Sequence, residues 1–393
     1  MPTSDFDVHD PAFVTDPHRT FDDLRERCPV AWTDDLGGFW MLTRHADIAR
    51  VTTDTRTWVS SVQNAVPKLP NTGRRGPLHF DPPEHTAYRR ALNPVFAADR
   101  VAEVRPAIDA MVHDLTGPFV AAGGGDVVAA VIRHVPIRAL CLLLGIPPDL
   151  ADDLLDATVR FVASVHDVDP EETKAQSYRI YDRSREILRD RARRPLDDDG
   201  LSAMLSIELD GRPLDEEMAV GTLRQVVVAA HVGPVLGLAG IVMHLGEDRA
   251  LQDRLRADPA LRGPAVEELL RLHAPNTGFT RTPTCPVELH GRVIEVDQPV
   301  AVNYAAASRD PDVFTDPDAV DLDRGDVGMA FGHGIHKCIG QHLARAQLHA
   351  VVDELLDTTD AFALTVPRDE LGFTQLPEHG PLEVPLAIEP RTG

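Results

Sequence analysis

One uncharged run, VVVAAHVGPVLGLAG (Val226–Gly240), constrains this chain more than any other segment. It is apolar and long enough for a helix buried in a core. Yet Gly233 and Pro234 stand in its middle. In a helix interior proline costs about 3 kcal/mol and glycine about 1 kcal/mol. A core helix that carries both calls for a reason. Pro234 is also read as breaking the run, so that no apolar stretch reaches the length of a membrane span.

The chain has 393 residues, of which 43% are hydrophobic, ample for a large core and too many for disorder. Its formal net charge of −23 disfavours nucleic acid and anionic membrane as partners. The four cysteines, Cys28, Cys141, Cys285 and Cys338, are far apart and form no CxxC pair. That spacing speaks against a disulfide framework and for a reducing cytoplasm. The residues after Met1 are acidic and lack an apolar segment, so neither a signal peptide nor a membrane anchor is expected.

No internal repeat is found. Breaks fall at 64–77, 121–126 and 193–200. The first third mixes a helix (Phe21–Arg27) with the strand-like runs VAWT and FWMLT. From about Pro83 to Leu272 the pattern is helical. VELHGRVIEVDQPVAVNYAAA reads as a hairpin and a strand, and the C-terminal tail as further short strands. The fold class is therefore mainly α. One domain over 1–393 is expected, with its β-rich part at about 30–60 and 285–303 plus strands at 361–388.

FGHGIHKCIGQHLARAQLHAVVDELL carries the most chemistry. Gly332, Gly334 and Gly340 surround Cys338, and a strong helical pattern begins after Gly340. Glycines allow positive φ and close backbone approach. A cysteine just before a helix start feels the positive end of the dipole, which favours thiolate. Three readings are open on these residues: a zinc cluster of His333, His336, Cys338 and His342, a haem–thiolate site with Cys338 as sole protein ligand, or a structural cysteine in a glycine-rich turn.

The wider pattern favours haem–thiolate. Phe331-x-x-Gly334-x-x-x-Cys338-x-Gly340 resembles the haem-binding signature of the cytochrome P-450 family. EELLR supplies Glu268 and Arg271, similar to that family's ExxR pair. FTDPDAVDLDR resembles the segment that follows, with Arg324 at its usual arginine, and DPPEHTAYRR resembles the helix beside the haem. The motifs keep the family's order, and the resemblance runs from roughly Phe21 to Ile388. It implies the cytochrome P-450 fold and a haem-thiolate monooxygenase of soluble, bacterial type. It implies haem b with Cys338 as axial ligand, and Phe331, Gly332, Gly340 and Ala344 beside it. His85, Arg89, Arg281 and His336 match propionate partners, while Glu268, Arg271 and Arg324 match a structural ion-pair group.

The resemblance also gives the interrupted run a place. In this family a long helix crosses the distal face of the haem and carries an acid–alcohol pair that handles protons. Here Ala229 and Ala230 fall on the small positions and His231 on the variable one. Val232 replaces the acid, Gly233 the threonine, and Pro234 the residue after it. Pro234 deprives the Ala230 carbonyl of its N–H donor and is expected to bend the helix, keeping a groove open while the relay is lost. Ala230, His231, Gly233 and Pro234 are thus the candidate catalytic positions. Proton delivery is left to the substrate, to His231 or to water; peroxide use or oxidative coupling is the other way out.

By the same resemblance, substrate contacts come from about Ser60–Leu78, two helices, the segment after ExxR and the C-terminal turn. The candidates are Val62, Val66, Phe161, Val226, Asn276, Thr277, Phe279, Leu376 and Pro377, mostly apolar with Asn276 and Thr277 as polar anchors. The implied partners are a small or medium organic substrate, dioxygen and an external ferredoxin or flavodoxin-type donor with its reductase. The donor is steered to a basic patch of Arg89, Arg90, Lys337 and Arg345. A haem protein that binds a ligand without turnover is the rival from another class.

Overall fold

The computed structural model describes residues 3–70, 73–325 and 328–391. The site-forming strands are Val30–Thr33 (β1), Phe39–Leu42 (β2), Trp58–Val59 (β3), Gly124–Asp126 (β4), Thr280–Pro283 (β5), Val300–Val302 (β6), Thr359–Leu364 (β7) and Pro385–Pro390 (β8). The site-forming helices are His45–Thr53 (α1), Glu84–Leu92 (α2), Ala98–Ala121 (α3), Val135–Leu144 (α4), Ala151–His166 (α5), Pro170–Ala192 (α6), Glu216–Glu247 (α7), Arg262–Leu272 (α8) and Gln341–Thr358 (α9).

α7 is the axis of the helical part. Its 32 residues run from an Asp215 cap, whose carboxylate accepts the Met218 N–H, and its sequence is apolar on nearly every face. Such a helix is stable only when surrounded, and α4, α5, α6, α8 and α9 pack around it. Small residues permit the closest approaches. A Cβ on Gly240 would stand 2.8 Å from His273 Cβ, and one on Gly221 would stand 2.3 Å from the Arg74 carbonyl. Contrary to the expectation from sequence, Pro234 does not break the element: helix continues on both sides of it. α7 and the helical stretch Val127–Leu144 are each long and apolar enough to cross a membrane, which corrects the reading that no run has that length. Both lie mostly buried inside the fold, as core helices do.

Five strands form one sheet in the order β1-β2-β6-β5-β3. β2 and β6 pair in parallel, and the other neighbours pair antiparallel. This sheet joins distant chain segments, pairing Trp40 with Val300 and Trp58 with Pro283, and sets Arg281, on β5, beside the helical part. A second sheet, β7-β8-β4, uses the GGD segment that the sequence reading left as a break. The hairpin Val287–Leu289/Arg292–Ile294 forms where it was expected.

Candidate functional site

The loop before α9 is held by short backbone hydrogen bonds. The Cys338 N–H donates to the Phe331 carbonyl at 2.8 Å, and the Gly332 N–H to the Met329 carbonyl at 2.8 Å. Gly332 and Gly334 have φ of +72° and +71°, a region that disfavours side chains. At Gly334 a Cβ would come within 2.0 Å of the Thr52 carbonyl on α1, so only glycine lets the loop pass. His333 turns outward to α1, with Nδ1 2.9 Å from the Thr52 hydroxyl. Among the described residues no three His, Cys, Asp or Glu are placed to hold a metal ion together, which removes the support for a zinc cluster.

Cys338 faces a cavity of about 320 Å³. Phe331, Gly332, Gly340 and Ala344 line it together with the cysteine. α7 forms another wall, with Val226, Ala229, Ala230, Val232, Gly233 and Pro234 in the lining. A Cβ on Gly233 would meet nothing within 4 Å, so this wall is open over the cavity. Burial pushes the Cys338 thiol up, against the pull of the Gly340 N–H, Arg89 and Arg345. Burial thus opposes the thiolate that a position before a helix start favours. A bound metal ion would favour the thiolate.

Beside the cysteine lies a basic group. His85 and His336 have ring centroids 4.4 Å apart. His336 Nε2 stands 3.1 Å from the Ser60 hydroxyl, while His85 Nε2 is buried with no partner among the described residues. Arg281 is buried and, among the described residues, donates only to the Thr280 carbonyl. Burial, then Arg89 and Arg281, lowers His85 to about 4; burial, then Arg281, His85 and Arg89, lowers His336 to about 2. No carboxylate forms an ion pair with any of the four among the described residues. The two arginines are buried or half-buried cations without a counter-ion, which is costly, and together with the two imidazoles they are donors that suit an acidic ligand. A haem fits: a thiol in the cavity lining, a basic group for two carboxylates and an open glycine wall.

Under the loop, Arg271 donates to both oxygens of Glu268 at 2.8 Å, with side chains 0% and 3% exposed. Burial alone would raise the Glu268 carboxyl; Arg271, the Asp321 N–H and Arg324 overcome it and hold it low. Arg324 Nε adds a 3.1 Å bond to Glu268. Arg271 Nη1 donates to the Ser308 carbonyl, and the Ser308 hydroxyl accepts the Met329 N–H. The ion pair thus reaches the cysteine loop in two links.

The remaining predicted residues divide. Phe161, Val226, Asn276, Phe279 and Pro377 line the cavity. Val62 is 46% exposed and outside it, Val66 is wholly buried elsewhere, and Thr277 and Leu376 are buried behind the lining. Within the expected Ser60–Leu78 loop, Asn71 and Thr72 lie outside the described residues. His231 lies off the cavity, buried, with Arg133 and His134 as its charged neighbours. One helix step turns a side chain by about 100°, so the residue after Ala230 faces away. Of the basic patch, Arg90 and Lys337 are exposed, while Arg89 lines the cavity. Arg345 is bound to Glu267 at 2.6 Å and lies over the Phe331 ring. Sequence reasoning missed Arg75, Arg224, Gln225 and Glu378, which also line the cavity. Arg224 and Gln225 carried a signal: two polar residues leading directly into the apolar run. Glu378, pushed up to about 7 by burial, had none.

A family model described as cytochrome P-450 matches residues 183–371. The mycinamicin IV hydroxylase/epoxidase of Micromonospora griseorubida is 30% identical over 375 residues, covering 93% of this chain and 94% of that one. The erythromycin C-12 hydroxylase of Saccharopolyspora erythraea is 33% identical over 359 residues, covering 88% and 87%. The solved structure of a point mutant of the mixed-function P-450 MycG in complex with mycinamicin IV superposes with a TM-score of 0.85. It is 29% identical and covers 98% of this chain and all of that one.

Proposed function

The chain belongs to the cytochrome P-450 family of monooxygenases, and we propose that it oxidises a small or medium organic molecule of secondary metabolism through a haem held by Cys338. The observation that carries this reading is that Cys338 faces a cavity also lined by Arg89, Arg281 and His336, none of which forms an ion pair with a carboxylate among the described residues. When bound, haem b supplies dioxygen activation and oxygen insertion. In this reading Cys338 is its thiolate ligand, and His85, Arg89, Arg281 and His336 neutralise its propionates. Phe331, Gly332, Gly340 and Ala344 flank the ligand. Glu268, Arg271 and Arg324 hold the loop in register.

The substrate would lie between Phe161, Val226, Phe279 and Pro377, with Asn276 as a polar anchor. The α7 wall has neither acid nor alcohol at Val232 and Gly233. Ala230, Gly233 and Pro234 leave room there for water or for a polar group of the substrate, which would deliver protons in place of the missing pair. The same observation favours a second reading, in which peroxide replaces dioxygen or the protein binds without turnover. Electrons would come from an external ferredoxin or flavodoxin-type donor at the exposed Arg90 and Lys337. Neither nucleic acid nor membrane enters this reading, and a cytoplasmic setting suits its four free cysteines.

The reduced carbon monoxide complex tests the central assignment. A band at the position typical of thiolate-ligated haem is expected, lost in Cys338→His. A histidine-type band in folded wild type would overturn it. Product formation with a surrogate ferredoxin and reductase, against product formation with peroxide alone, separates the first reading from the second.

A further inference from the structure

Two buried arginines at the far end of the cavity have no role in the reading above. Arg224, on α7, is 1% exposed, and Arg75, in the loop before α2, is 4% exposed; both line the cavity. Arg224 Nη2 donates to the Ser177 hydroxyl at 3.0 Å, and its guanidinium lies over the Phe161 ring at 4.4 Å. Among the described residues its Nε has no partner, nor has the Nε of Arg75 or the hydroxyl of Tyr181 beside them.

Away from the basic group at Cys338, where Arg281 is also unpaired, other buried arginines are matched by acids: Arg271 by Glu268, Arg262 by Asp353 and Asp357, Arg191 by Asp197 and Asp199. Among the described residues no carboxylate acts on Arg224 or Arg75; Arg224 feels burial and then the like charge of Arg75. This pair is separate from that basic group. His79 is lowered by burial and then by Arg75, Arg224 and Arg74, whereas His336 answers to Arg281, His85 and Arg89. In a chain of net charge −23, two unpaired buried cations mark a place for an anion from outside.

We propose that the substrate is an organic acid, its carboxylate held by Arg224 and Arg75 and its apolar body extended along α7 past Val226 towards Gly233. This inference rests on the cavity being the substrate chamber of a haem-thiolate enzyme. Arg224 precedes Gly233 by nine residues, about 13 Å along the helix axis. The acid therefore sits far from Gly233, and oxidation falls on a carbon remote from the carboxylate. A guanidinium pair with a phenol offers forked, charge-assisted donors that an ester or alcohol cannot fully use.

The test uses the haem-loaded protein with dodecanoate, methyl dodecanoate and dodecanol, read by the ligand-induced spin shift and by the thermal midpoint. Dodecanoate is expected to bind about tenfold or more tighter than its ester. Arg224→Gln and Arg75→Gln are each expected to bring that ratio close to one, and Arg224→Lys to retain part of it. Should Arg224→Gln not fold, Arg75→Gln carries the test alone. Equal response to acid and ester, including no response to either, overturns the proposal, as does a preference that survives both substitutions. A wild-type protein without the thiolate-type carbon monoxide band would sink the haem reading instead. The thermal shift by dodecanoate would still judge the acid site.

Discussion

Glu268 shows how one side chain can matter far from any chemistry. Its carboxylate holds Arg271, Arg324 and the Asp321 N–H at once, inside the protein. Removing one member of a buried pair strands the other charge, at a cost of about 3–5 kcal/mol. Glu268→Ala is therefore expected to lose haem and folded yield together. A variant that stays fully loaded and melts like wild type would refute the role. Glu268→Gln keeps hydrogen-bond acceptance by one oxygen and should fall between the two. Cys338 makes the complementary point. Its loop is shaped by φ at Gly332 and Gly334, and Gly334→Ala meets the Thr52 carbonyl. That substitution should cost haem affinity without touching any group that binds haem, as the retained fraction on gel filtration would report.

Along α7, glycines of the same chemistry have opposite surroundings. Gly221 is pressed against the Arg74 carbonyl, whereas Gly233 faces open space. Alanine favours a helix interior over glycine by about 0.5–1 kcal/mol. Gly233→Ala should thus raise the melting temperature slightly, and Gly221→Ala should lower it. The same sign for both would mean the helix, not its surroundings, sets the outcome. Gly233 also has room for a larger group. The pair Val232→Glu with Gly233→Thr should leave haem content alone but change the share of electrons that reach product, or the response to peroxide. Coupling and peroxide activity equal to wild type would remove the proton-delivery argument. Bending at Pro234 is part of the same proposal, and a straight helix in a crystal structure would remove it.

For the whole molecule, the balance of buried titratable groups sets the acid limit. Burial is the leading cause that holds His79 at about 3 and His166, His231 and His379 at about 4. An ordinary histidine titrates near 6.5. Each group binds fewer protons folded than unfolded. Its contribution is whole above about pH 6.5 and is lost as pH falls towards 4, at up to about 1.4 kcal/mol per pH unit. Glu378, raised to about 7, has the opposite sign, since it gains its proton earlier in the folded chain. Four histidines outweigh one carboxyl, so the melting temperature should fall between pH 6.5 and 5. His231→Leu, which removes a ring nitrogen that has no partner, should make that fall shallower. An unchanged slope in the variant would show that His231 is not buried neutral.

The family, the cysteine loop and the ion pair were legible in the residues because each is a local pattern. Glycines flank Cys338 at fixed spacing, Glu268 and Arg271 stand one helical turn apart, and Arg324 follows in a short segment. The helical run from Pro83 and the hairpin near Val287 were legible for the same reason, as period and turn chemistry act over a few residues. Tertiary structure decided what depends on direction and on distant partners. It turned His231 away from the cavity, left Val62 at the surface, tied Arg345 to Glu267 and carried the helix through Pro234. It also brought Arg75 and Arg224 together from segments about 150 residues apart. No window of sequence could show that both arginines lack an acid, because a buried charge finds or fails to find its counter-ion only once the chain has packed.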